Sequence, residues 1–393
     1  MNSRERLFAA LAHREPDRVP LDLGGTQVST IHVAAYRNLC RHLDIDPEPV
    51  EMADVVQQVV RPGEELLGRL QVDTRGLFPR TSHNWGFDDL EDVGDAWQHV
   101  DEWGFTQQFK KEHGHWWAQV GFPLSGPTVD PAALGAYPWP NAANPRRIEG
   151  LREQAAAFRN AGKVVVCKGL CAGMFEMAQR LRGMENCLCD LLADPDTAGH
   201  LLDNVLRLKI EFWTMLLDEL GDLVDIVAEG DDYGTQQSQL ISPDTYKRLI
   251  APRLRELVGF IKRKHAEKRS NDEPGYVFFH SCGNVRPYLP DFIDMGIDIL
   301  NPVHVTATGM EPTALKRDFG RDITFWGGGV DTQGVLPNGT PQEVRDDVRR
   351  NVEALMPGGG FVFNTVHNIQ AEVPPENVMA MWEALREAGV YSG

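Results

Sequence analysis

Short apolar runs punctuate the chain, each followed by a glycine-containing loop and then a stretch in which apolar residues recur at helical spacing. The runs at 19–23, 72–78, 163–167, 224–228, 276–279, 297–301, 323–326 and 360–365 are rich in Val, Ile and Phe and bounded by turn residues, which predicts β-strands. Between them the spacing predicts helices over about 197–220, from Ser242-Pro243 onward, from Thr340-Pro341-Gln342-Glu343 onward, and over about 375–388. Ser242 reads as an N-cap before a first-turn proline, and Thr340 with Glu343 as a capping box.

About eight β-α units in 393 residues point to an α/β protein, a (β/α)8 TIM barrel spanning 1–393 as a single domain. A doubly wound sheet shows the same alternation. The barrel is preferred because candidate functional residues follow many different strands, and in a barrel those strand ends converge on one mouth. Residues 80–141 break the rhythm with Trp85, Trp97, Trp103, Trp116, Trp117, Tyr137 and Trp139 among turn residues. Segments 100–105 and 115–120 look like short antiparallel strands. This stretch is expected to be an insertion over the mouth or beside it, either a substrate lid or a decorated loop with its own small core.

Composition narrows the class. With 42% hydrophobic and 24% charged residues the chain can bury a large core. A net charge of −18 argues against nonspecific nucleic-acid binding and against anionic membrane surfaces. No apolar run approaches the roughly 20 residues of a membrane span, and the start Met1-Asn2-Ser3-Arg4-Glu5-Arg6 does not read as a signal peptide. Six irregularly spaced cysteines read as the reduced thiols of a cytoplasmic protein.

The chemistry concentrates at strand ends. His280-Ser281-Cys282 closes the run Tyr276-Val277-Phe278-Phe279, so His280 and Cys282 project to one side where strand gives way to loop. Imidazole and thiolate suit Zn²⁺, and His367 after the last strand supplies a third ligand. Three protein ligands and an open position make the pattern of a catalytic zinc; the alternative is that these are packed barrel residues. Glu229, Asp231 and Asp232 end the preceding strand. Adjacent carboxylates there repel one another unless they meet a cation or a cationic substrate, so they are candidates for catalysis, with Glu229 a fourth ligand or a partner that orients a histidine; the alternative is a solvated loop. Gly169-Leu170-Cys171-Ala172-Gly173 matches the short G-x-nucleophile-x-G shape of a hydrolase elbow. Gly327-Gly328-Gly329 and Gly358-Gly359-Gly360 are candidates for anion cradles or tight turns. Asp22, Gln27 and His32 after the first strand, and Asp331 and Gln333 after the seventh, are further mouth candidates.

Several segments together resemble the uroporphyrinogen decarboxylase superfamily, in its branch of corrinoid-dependent methyltransferases. They are Arg4-Glu5-Arg6 with Arg14-Glu15-Pro16-Asp17-Arg18-Val19-Pro20, Asp101-Glu102-Trp103-Gly104, Tyr137-Pro138-Trp139-Pro140, Glu229-Gly230-Asp231-Asp232, Ile241-Ser242-Pro243, His280-Ser281-Cys282-Gly283, Trp326-Gly327-Gly328-Gly329-Val330-Asp331 and Pro374-Pro375-Glu376-Asn377. The resemblance covers nearly the whole chain and implies the (β/α)8 barrel. Decarboxylases of the superfamily carry an arginine-rich segment after the first strand that grips substrate carboxylates; this chain has Leu23-Gly24-Gly25-Thr26-Gln27-Val28 there. The methyltransferases hold zinc through a His-x-Cys pair, matched by His280 and Cys282, and a later cysteine, whose place falls on His367. That exchange makes the site more positive by one charge.

The resemblance thus implies a zinc-dependent methyltransferase moving a methyl group between a small substrate, a methyl ether, phenol or thiol, and a corrinoid (cobalamin). The chain has no D-x-H-x-x-G corrinoid motif, so a separate corrinoid protein is the expected partner, and relatives suggest a homodimer. The other readings are a decarboxylase acting on a smaller carboxylic acid, with Glu229, Asp231, Asp232 and His367 handling protons, and a non-catalytic barrel that delivers a tetrapyrrole or corrinoid.

Overall fold

In a computed structural model of the chain, residues 1–82, 90–126, 129–269 and 273–391 are described. Seven strands form one parallel sheet: β1 (Thr74–Leu77), β2 (Val164–Lys168), β3 (Ile226–Gly230), β4 (Tyr276–His280), β5 (Ile299–Asn301), β6 (Thr324–Trp326) and β7 (Phe361–Val362). Each pairs with the next in sequence. The run 19–23 closes the ring as a single parallel bridge, Leu21 to Phe363, and not as the full strand the sequence predicts. Asp22 N–H donates to the Phe363 carbonyl, Phe363 N–H to Pro20, and Asp73 N–H to Leu21 on the other side. Pro20 has no N–H to offer, which thins the ladder. The architecture is the expected α/β barrel.

Strand alternation sorts the side chains. The inner core holds Val164, Val166, Ile226, Ala228, Phe278, Ile299, Trp326 and Val362, with Leu7 and Leu11 from the first helix, Ser3–Leu11. Intervening residues such as Val165, Cys167, Val227, Phe279 and Phe325 pack in the layer shared with the helices. The register sets Ala228 beside Phe278, Gly230 beside His280 and His280 beside Asn301. Gly230, His280 and Asn301 therefore continue the inner face, whereas Glu229, beside Phe279, continues the outer one.

The helices start where the sequence marks them. Pro195–Leu220 lies against the barrel, Thr340 and Glu343 complete a capping box on Pro341–Leu355, and Pro375–Ala388 follows Pro374. Ser242 caps Pro243–Thr245, which continues through a wider π turn, Tyr246–Ile250, into Ala251–Ala266. No helix among the described residues is long and apolar enough to cross a membrane.

The insertion contains a four-stranded antiparallel sheet: Glu91–Asp92, Ala96–Val100, Thr106–Lys110 and Ala118–Gly121. Segment 100–105, expected to be a strand, is mostly a hairpin turn. Asp101 Oδ1 accepts from the N–H groups of Trp103 and Phe105 at 2.9 and 3.0 Å, and Gly104 takes φ +78°. Trp103 and Phe105 are buried in the main core, and they line the mouth cavity together with Asp101, Glu102 and Gln107. The insertion is thus a wall of the mouth. Trp85 lies outside the described residues.

Candidate metal centre

Two stretches of chain meet at the carboxyl ends of the strands. β4 ends at His280, Cys282 follows it, and His367 comes from the loop after β7. One ligand atom from each of the three lies within 4.8 Å of the others. His280 Nε2 and Cys282 Sγ are 3.4 Å apart, and the rings of His280 and His367 meet edge to face at 5.4 Å.

The protonation states suit ligands. Asn301 Nδ2 donates to the Trp326 carbonyl at 2.9 Å, so its Oδ1 is left to face His280 Nδ1 at 2.6 Å. His280 then carries a proton on Nδ1 and turns Nε2 toward Cys282. Burial, then the neighbouring His280 and His304, pull the His367 pKa down to about 3, so it is neutral with a lone pair free. Burial, then Asp232 and Glu176, push the Cys282 thiol up. A cation at the sulfur reverses that preference, because a coordinated thiol is deprotonated. One thiol and two imidazoles converging in a shielded pocket are a donor set that fits Zn²⁺.

The three carboxylates of Glu229-Gly230-Asp231-Asp232 go to different places. Asp232 stays at the centre: its Oδ1 accepts from Cys282 N–H at 2.7 Å and lies 3.8 Å from His280 Nε2. Asp231 turns to the start of the helix Met174–Arg182, accepting from the N–H groups of Phe175 and Glu176 and from Tyr233 O–H. Burial, then Glu176, raise its pKa to about 8. Glu229 is corrected as a metal ligand. Although it borders the mouth cavity, its carboxylate is held away from the three ligands by Lys209 Nζ and Trp213 Nε1, each at 2.6 Å. Both partners sit on Pro195–Leu220, and the Lys209–Glu229 pair is almost wholly buried.

Two residues at the centre went unmarked in the sequence. Asn301 orients His280. Glu176, in the first turn after the β2 loop, lines the same cavity as Asp232, and burial followed by the Asp232 charge raises its pKa. Its only signal was position, since it opens a helix on the rim where β2 ends.

Other candidates fall away from the chemistry. Cys171 borders the mouth cavity, as Gln27 does, but burial raises its thiol to about 11, the opposite of an activated nucleophile. Asp22 is buried and accepts from Trp326 Nε1 and Thr74 Oγ1. His32 caps the helix Val33–His42. Asp331 accepts from the N–H groups of Gln333, Gly334 and Val335, and Gln333 Oε1 accepts from Gln236 Nε2. Gly358-Gly359-Gly360 precede β7 and so lie at the opposite end of the barrel from the metal centre, where a Cβ on Gly359 would meet the Arg14 backbone at 2.5 Å. Gln27 does line the mouth cavity.

That cavity, ≈ 380 Å³, lies above the centre. Its bases are engaged: Lys168 with Asp54 at 3.4 Å, Arg180 with Glu176 at 3.6 Å. Where the decarboxylases' arginines are expected, Thr26, Gln27 and Val28 form the wall.

A parallel α/β barrel carrying polar ligands at the carboxyl ends of its strands is the layout of a TIM-barrel enzyme. Residues 120–388 match the family model described as uroporphyrinogen decarboxylase (URO-D), and the chain belongs to that family. It is 27% identical over 204 residues to a uroporphyrinogen decarboxylase of Legionella pneumophila (strain Corby), covering 51% of each chain. It is 24% identical over 216 residues to a methylated-thiol–coenzyme M methyltransferase of Methanosarcina mazei, covering 55% of this chain and 52% of that one. The chain thus aligns with about half the length of the curated relatives it matches. Among solved structures, a methyltransferase from Methanosarcina mazei shares the fold with a TM-score of 0.61 at 19% identity, covering 98% of this chain and 99% of that one.

Proposed function

We propose that this chain is a zinc-dependent methyltransferase that moves a methyl group between a small substrate, a methyl ether, phenol or thiol, and a corrinoid carried by a separate protein. The observation that carries the reading is the convergence of His280, Cys282 and His367 beneath a cavity of small-molecule size. Zinc there would act as a Lewis acid toward the substrate heteroatom. The chain's own residues do the rest. Asn301 holds the His280 lone pair toward the site, and Asp232 holds the backbone of Cys282. Asp232, facing the cavity, is placed to take the proton that a thiol or phenol gives up on binding. The insertion wall, with Trp103 and Phe105, shields the substrate from water. The transferred methyl group must come within bonding reach of cobalt, so the carrier protein would dock over the mouth and present the corrinoid to this cavity.

The matched uroporphyrinogen decarboxylases support a second reading, decarboxylation of a smaller acid. Engaged bases, Arg180 among them, and no arginine in the 26–28 segment of the wall speak against a polycarboxylate porphyrinogen.

The test is metal content by elemental analysis of wild type, Cys282→Ala and His367→Ala, followed by methyl-transfer assays with a corrinoid protein. About one zinc per chain, lost in both variants along with methyl transfer, is expected. Absence of stoichiometric metal, or carbon dioxide release without a corrinoid, would overturn the methyltransferase reading.

A further inference from the structure

At the amino-terminal end of the barrel, opposite the metal centre, a second cavity of ≈ 580 Å³ is lined by Arg6, Arg18, Lys163 and Arg386, with Asp17 the one carboxylate in its wall. In a chain of net charge −18 this concentration of cations is a local inversion. Some of the charge is answered. Behind the wall the buried Asp73 accepts from Arg6 Nη1 at 2.9 Å and from Arg18 Nη1 at 2.8 Å, and Asp17 takes Arg6 Nε at 2.6 Å. Lys163 has only neutral oxygens, Val72 O at 2.8 Å and Ser3 Oγ at 3.3 Å. Arg386 has nothing: among the described residues it makes no hydrogen bond or ion pair, and its Nη1 is shielded from solvent without a partner.

A cluster that served only to hold the barrel floor together would pair each cation, as Asp73 does for Arg6 and Arg18. Here four cationic side chains face two carboxylates, one of which, Asp17, also takes the Met1 ammonium at 3.3 Å, and Arg386 is left exposed to the repulsion of Arg18 and Arg6. Burial first, then those two neighbours, pull its pKa below the ordinary value, against the weaker opposing pull of Asp73 and Asp17. An unpartnered, partly desolvated guanidinium costs free energy that a bound anion would return. Guanidinium groups match the oxygen spacing of oxyanions and bind them bidentately.

We propose that this cavity is a binding site for a dianionic oxyanion, a phosphate either free or as the monoester of a small metabolite, with Arg386 and Lys163 as its principal contacts. The site is independent of the metal centre and of the reaction assigned to it.

The experiment is calorimetric titration of the full chain with inorganic phosphate and, separately, with glycerol 3-phosphate, at an ionic strength held constant with potassium chloride. Wild type, Arg386→Met, Lys163→Met and Cys282→Ala are compared. Saturable binding to wild type is expected, weakened at least about tenfold in Arg386→Met and in Lys163→Met and unchanged in Cys282→Ala. Arg386→Met removes an unpaired cation, so it should unfold at the same temperature as wild type or higher. If Lys163→Met fails to fold, Arg386→Met alone decides. Tighter binding of the ester assigns the site to a metabolite, and tighter binding of inorganic phosphate to the free ion. Absence of saturable binding, an unchanged affinity in Arg386→Met, or loss of binding in Cys282→Ala would overturn the proposal.

Discussion

Asn301 Oδ1 faces His280 Nδ1 at 2.6 Å, and because Asn301 Nδ2 is committed to the Trp326 carbonyl the amide has only one orientation that satisfies both contacts. The imidazole is thereby set with Nε2 toward the site. Partners of this kind contribute about 10–100-fold to metal affinity. Asn301→Ala should weaken zinc binding by about that factor in chelator competition, while a saturating ion still loads to the wild-type stoichiometry. An unchanged affinity would show that the amide does not govern the ligand.

The buried Lys209–Glu229 pair belongs to the scaffold. Lys209→Met leaves the Glu229 carboxylate stranded and should cost about 3–5 kcal/mol in urea unfolding. The double variant Lys209→Met/Glu229→Leu should recover most of that loss. Both should bind metal as wild type does, and loss of metal in the double variant would return Glu229 to the centre.

Asp231 caps the helix Met174–Arg182, and a Cβ on Gly173 would lie 2.0 Å from its carboxyl carbon. Gly173→Ala must push the cap out of place. A loss of about 1–3 kcal/mol is expected from overpacking of this kind, read by denaturation. Wild-type stability in this variant would mean the cap has room to move.

His265 carries a pH dependence. Its ring is buried with Nε2 against the Val224 carbonyl at 2.8 Å, and burial above all lowers its pKa to about 4 from an ordinary 6.5. Between those values the unfolded chain takes up a proton that the folded chain refuses. The contribution is therefore intact above pH 6.5, falls as the pH drops toward 4, and levels off below. It amounts to roughly 3 kcal/mol over the window. Subtracting the stability profile of His265→Leu from that of wild type should leave this slope, and parallel profiles would exclude His265 as its source.

Much of the barrel was legible because its strands are short apolar runs between turn residues, and its helices announce themselves through Ser242, Thr340 and Pro375. What escaped has physical causes. In a parallel sheet covered on both faces, a run such as Val164-Val165-Val166 is apolar throughout, so alternation does not reveal which residues face inward. Glu229 and Asp232 then look equivalent until the register is known. The hairpin turn at 101–104 did carry a signal, an Asp before a Gly, but its aromatic neighbours outweighed it. Asn301 lay inside a predicted strand, and Glu176 belonged to no motif. Both matter through what they touch, which spacing along the chain does not encode.

His280 and Cys282 sit two residues apart, whereas His367 arrives from the far side of β5 and β6. A disordered chain can offer an ion the first two ligands together, but the third reaches them only once the later strands have docked and the ring is shut. An ion held by all three therefore favours the closed barrel over every open arrangement, and its affinity is in part a measure of closure. With an ion bound, the same atoms that would activate a substrate would also act as a clasp, joining the middle of the barrel to its last strand.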